Sequence, residues 1–154
     1  MENYNKNNAG RMQTGQNTNR PVKEPVTNEN YVDRAEEVIK ELSSRTNSKN
    51  GKKEPMVTTS KIRNLLALTN DIYNDVMNEQ SEELNEEICS RIEYLRVRFL
   101  YEAGREPKVK DLVLSADILD VLKNVKKKRS NYILFNRYME ALVAFHKYYG
   151  GKDN

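Results

Sequence analysis

No proline separates Pro55 from Pro107, and no glycine separates Gly51 from Gly104. An interior proline removes a backbone donor and clashes with the preceding turn, and glycine loses the most backbone entropy on folding. A stretch without either has room for two long helices. The first is expected over residues 59–78, where Thr58, Thr59 and Ser60 offer capping oxygens. Ile62, Leu65, Leu66, Ile72, Tyr73, Val76 and Met77 form its apolar stripe. The second is expected over residues 82–103, on Leu84, Ile88, Ile92, Leu95 and Phe99, with spacings of 4, 4, 3 and 4. Gly104 suits the left-handed position that ends such a helix, and Pro107 suits the first turn of the next.

Three further helical segments flank this pair. Residues 31–44, preceded by the candidate cap Asn30, place Tyr31, Ala35, Val38, Ile39 and Leu42 at helical spacing. After Pro107, Leu112, Ala116, Leu119 and Leu122 line one side of a third stretch, with Ser115 as a candidate interruption. The last helix, over 130–149, packs through Phe135, Tyr138, Met139, Leu142 and Val143 and stops at Gly150-Gly151. No segment shows sustained period-two alternation, and Asn50-Gly51 lies in a polar stretch rather than between β-branched runs. The expected fold is all-α, a compact bundle of about five helices.

The 154 residues suit one domain, but its apolar content is unevenly spread. Residues 1–53 hold only 12 of the 57 hydrophobic residues, and the first 30 contain 8 Asn and no Leu, Ile or Phe. Such a segment cannot offset the entropy of ordering, so residues 1–29 are expected to form a disordered, Asn-rich tail. Residues 30–154 then form the helical domain. Residues 43–57, rich in Ser, Asn, Gly, Lys and Pro, are expected to be a mobile basic loop within it. No apolar run approaches the ~20 residues needed to span a bilayer, and the amino end has no apolar signal-peptide core. One cysteine, Cys89, forms no internal disulfide, and the expected location is cytoplasmic.

Catalysis finds little support. His146 is the only imidazole, and it sits near a helix end where packing or hydrogen bonding explains it. Cys89, between Ile88 and Ser90, reads as a small buried or half-buried thiol. Glu82, Glu83, Glu86 and Glu87 have helical spacing, but acidic groups are favoured in a first helical turn without any metal. Neither GxxxxGK[ST] nor GxGxxG occurs. The chain is expected to be a non-enzyme with no cofactor.

Charge is organised by segment. The net charge of +3 conceals −7 over residues 70–90 and +6 over 91–154. That asymmetry points to a polyanion or a neighbouring subunit as partner. Taking about 100° per residue, Arg91, Arg98 and Arg105 fall within roughly 40° on one helix face, with Tyr94 and Tyr101 alongside. Arginine forks suit phosphate oxygens, so this face is a candidate RNA-backbone surface. The plain alternative pairs these arginines with Glu93 and Glu102 and leaves the tyrosines at the core edge. Lys126, Lys127, Lys128 and Arg129 form a second candidate group, or simply a solubilising linker. Lys52 and Lys53, with Lys61 and Arg63 beyond them, form a third. Nothing indicates sequence-specific base readout.

Four stretches, in order, resemble one family: TTSKIRNLLALTNDIYN (58–74), IEYLRVRFLYEAGRE (92–106), VKDLV (109–113) and YMEALVAFHKYYGGKD (138–153). They look like the small subunit of type III-A CRISPR effector complexes, the Csm small subunit, over residues 31–153. The resemblance implies a helical subunit that stacks in several copies along guide and target RNA, contributing to antiviral defence. Its implied neighbours are other copies of itself, the large polymerase-like subunit and the backbone subunits, and no membrane. Such subunits contact RNA backbones without cutting them, since the cleaving and synthetic activities belong to the other subunits. Basic positions of the family match Lys61, Arg63, Arg98 and Arg105, whereas Arg91 and Lys126–Arg129 rest on the surface argument alone. Tyr138, Glu140, His146 and Lys147 match the closing motif. Two other classes stay open: a protein–protein adaptor using the acidic 70–90 segment, and a magnesium nuclease built on Glu86 and Glu87.

Overall fold

The computed structural model describes residues 23–153, all-α apart from two isolated backbone bridges. Residues 1–22 of the expected tail lie outside the described residues. Residues 23–29 run along the bundle: the Lys23 ammonium lies 3.5 Å from Asp117, and Arg34 donates to the Glu24 carbonyl. Six helices follow rather than about five. They are α1 (Tyr31–Ser44), α2 (Thr59–Asn78), α3 (Glu86–Arg105), α4 (Pro107–Ser115), α5 (Ile118–Lys123) and α6 (Arg129–Tyr148). The additional helix arises from a break after Ser115, where Asp117 takes a left-handed φ of 53°.

Local chemistry explains most of the boundaries. Thr58 caps α2 by accepting from the Lys61 amide, as its position suggested. Asn85, not the preceding glutamates, caps α3, so that helix starts four residues later than expected. Gly104 does not end it. The residue before a proline is driven out of helical geometry, and Glu106, at φ −134° and ψ 110°, is where α3 stops. Pro107 then opens α4 as expected. Asn30 makes no cap bond to α1; its side chain accepts from the Thr27 amide and donates to the Pro25 carbonyl. Residues 43–57, expected to be mobile, contain a hydrogen-bonded turn, with Asn47 N donating to Lys52 O and Glu54 N to Arg45 O, each at 2.8 Å.

The core forms around α6, which packs along α1 and α2, while α3 packs on α2 and α4. Tyr132, Phe135, Tyr138, Met139 and Leu142 of α6 are fully buried. Phe135 meets Phe99 of α3 edge-on at 6.2 Å and Tyr132 at 5.9 Å. The buried hydroxyls of Tyr132 and Tyr138 donate to the carbonyls of Thr69 and Ala116 at 2.7 and 2.9 Å. Burial raises the pKa of both phenols, so they stay donors. Residues 150–151 close α6: Gly150 takes φ 89°, and Gly151 N reaches His146 O at 2.8 Å.

His146 is fully buried under this cap. Its Nε2 lies 2.6 Å from the Val57 carbonyl, while Nδ1 has no partner. A neutral ring donating from Nε2 satisfies that contact. Burial lowers the His146 pKa below its ordinary 6.5, outweighing the raising effect of the Val57 bond. As pH falls below about 6.5 the unfolded chain takes up a proton that the folded chain resists, so stability present above that pH is lost. Urea midpoints are expected to fall between about pH 7.5 and 5.5 in the wild type, and to stay nearly flat in His146→Gln. Equal pH slopes in the two proteins would assign the loss to other groups.

Candidate nucleic-acid interface

Because α2 and α3 run antiparallel, the start of α2 lies beside the end of α3. That topology brings together residues far apart in sequence. Lys61, Arg98 and Arg105 line one groove of about 470 Å³, with Asn64, Leu68 and Val109 contributing to its walls. Lys61 Nζ is 2.6 Å from Glu106 Oε2, and this bond chiefly holds the Glu106 carboxyl below its usual range. Arg105 is 61% exposed, and its nearest carboxylate, Glu102, is 3.8 Å away. Arg98 has no carboxylate within ion-pairing distance among the described residues. The groove therefore holds three cations against two carboxylates, with Arg98 left without an ion-pair partner.

The other candidates stand elsewhere. Arg63 is exposed but does not line the groove, because two residues turn it by about 200° from Lys61. Lys52 and Lys53 are exposed on the 46–53 turn, and Lys53 borders a separate depression near Tyr149 and Lys152. Lys126, Lys127 and Lys128 are exposed beside the start of α3, about 30 Å along that helix from Arg105.

Two of the predicted residues are already bonded to the neighbouring helix α2. Arg91 donates to Asp75 and to the Asp71 carbonyl, tying α3 to α2. Arg129 donates to the Val76 and Met77 carbonyls at 3.1 and 3.3 Å. Those carbonyls belong to the last turn of α2, where a cation also meets the negative end of the helix dipole. Arg96 rather than Arg91 pairs with Glu93, at 2.8 Å.

The acidic segment has a related structural use that its sequence concealed. Leu84 N donates to Lys127 O, and Arg129 N to Glu82 O. The Glu82 carboxylate accepts from the hydroxyl and amide of Ser130 at the start of α6, and these bonds hold Glu82 below the usual carboxylate range. The four residues 126–129 are thus a paired turn, with Lys126 and Lys127 at φ 47° and 62°. Glu86 and Glu87 remain exposed in the first turn of α3. Among the described residues no group of three or more His, Cys, Asp or Glu side chains is placed to hold a metal ion. Nor is any described helix long and apolar enough to cross a membrane.

The fold and this groove can be set beside known proteins. The family described as Csm2 Type III-A matches residues 28–152. A Streptococcus thermophilus protein named CRISPR system Cms protein Csm2 is 46% identical over 128 residues, covering 83% of this chain and 98% of the relative. The protein of the same name from Mycobacterium tuberculosis is 38% identical with the same coverage of each chain. That of Enterococcus italicus is 37% identical over 121 residues, covering 75% of this chain and 86% of its own. The family match spans every described helix of the bundle, and the chain belongs to the Csm2 family of type III-A CRISPR systems.

Proposed function

We propose that the chain is a non-catalytic small subunit of a cytoplasmic type III-A interference complex that binds the backbones of guide and target RNA. Several copies stack along the RNA, between the large subunit and the backbone subunits. The observation that carries this reading is the groove of Lys61, Arg98 and Arg105, in which rigid helices hold three cations and leave Arg98 unpaired. Arg63, Lys52, Lys53 and Lys126–Lys128 extend the basic surface as exposed outlying contacts. Arg91 and Arg129 act mainly on stability, since their guanidinium groups are already bonded.

The adaptor alternative draws less support. Asp75 and Glu82 of the acidic segment are occupied by Arg91 and Ser130, which reduces what that segment can offer a basic partner.

Binding through phosphates releases counterions, so affinity for RNA falls steeply with salt and is indifferent to sequence. Arg98→Glu with Arg105→Glu is expected to weaken binding of the free chain to single-stranded RNA at least tenfold at low salt. Two lost contacts lower the slope of log affinity against log salt by about 1.4, at ~0.7 per contact. Fluorescence anisotropy across a salt series measures both, and helical CD verifies the fold. Unchanged affinity and slope would remove the groove from the interface.

A further inference from the structure

Helix α3 repeats one pairing. Tyr94 precedes Arg98 by four residues and Tyr101 precedes Arg105 by four, with seven residues between the repeats. Side chains four apart meet on a helix surface, and seven residues are two turns, about 10.5 Å along the axis. Both rings stand free, each tyrosine being 62% exposed. The Arg105 guanidinium lies 5.8 Å from the centre of the Tyr101 ring. Val97 and Leu100, 55% and 53% exposed, continue the apolar surface away from the arginines. Exposed rings edged by cations, of which Arg98 has no carboxylate partner, are the elements from which single-strand platforms are built.

We infer that this face of α3 binds unpaired RNA, with bases stacked on Tyr94 and Tyr101 and the adjoining phosphates on Arg98 and Arg105. This rests on the RNA-binding reading above and deepens it, because phosphate contacts alone do not distinguish paired from unpaired strands. In an A-form duplex the base faces are hidden in the stack, and the rings have nothing to lie against. Charge argues for a nucleic acid over a protein partner. Docking a protein surface here would bury Arg98, which has no carboxylate of its own, and such burial is costly unless the partner brings one.

The test uses the full chain at low salt, with a labelled adenosine oligoribonucleotide of about 12 nucleotides and an RNA duplex of equal length. Tyr94→Ala with Tyr101→Ala is expected to weaken single-strand binding at least tenfold, since each stacked base contributes about 5- to 150-fold. Duplex binding and the salt slope should not change, and the paired Tyr→Phe variant should bind as the wild type does. Equal wild-type affinity for both probes, unaffected by the alanines, overturns the stacking proposal. So does an alanine variant that loses self-association in sedimentation while binding RNA normally, which would make the face a protein contact. If Arg98→Glu with Arg105→Glu abolishes binding and the tyrosine variants do not, the backbone reading survives alone. A wild type that binds neither probe refutes both.

Discussion

Phe135→Ala is expected to cost about 3–5 kcal/mol, among the largest losses from a single truncation in the bundle. Phe135 has no solvent exposure and joins α6 to α3 through the edge of Phe99, with Tyr132 on its other side. Phe99 belongs to α3 and the other two rings to α6, so the surrounding helices cannot collapse fully into the space left by the ring. A domain of this size is stable by roughly 5–15 kcal/mol, so the variant loses a fifth or more of its margin. With a urea slope of about 2 kcal/mol per molar, the midpoint should fall by about 2 M. Tyr148→Ala, on the same helix but 80% exposed, should stay within about 0.5 kcal/mol of the wild type. Similar losses from the two truncations would contradict the placement of α6 at the centre.

The second large effect is at Gly151. A Cβ there would overlap the His146 imidazole, so Gly151→Ala must displace either the ring or the carboxyl-terminal segment. Moving the ring forfeits its bond to the Val57 carbonyl, and moving the segment forfeits the 2.9 Å bond from Thr59 N to Lys152 O. Overpacking of this kind costs about 1–3 kcal/mol. Gly104→Ala provides the opposite expectation. That glycine is helical, and an added Cβ meets nothing within 4 Å, so the substitution should stabilise by up to about 1 kcal/mol. Adding His146→Ala to Gly151→Ala should recover part of the loss, a coupling that a double-mutant cycle in urea measures directly. Strict additivity would show that the clash is not what destabilises.

Two glycines near helix ends show how far local sequence can be read. Gly104 and Gly150 both follow apolar helical repeats, yet only Gly150 adopts positive φ. At Gly104 the nearby Pro107 sets the stop instead, three residues on, through the geometry it imposes on Glu106. The bounds of α2 were legible because Thr58 caps its start and nothing downstream competes for its residues. The start of α3 was not, because residues 82–84 pair with 127–129, which periodicity within a single segment does not register.

What the sequence determined by itself was the helical content, the apolar faces and the alignment of Arg98 with Arg105. All of these depend on rules that act within a few turns of one helix, and the four ordered motifs pointed to the family by resemblance. Only the tertiary structure decided which cations remain available. Antiparallel packing of α2 on α3 set Lys61 opposite Arg105, turned Arg63 away, and gave Arg91 and Arg129 to partners across the bundle. The pairing of charges depends on distances between helices, and spacing along one chain does not encode them.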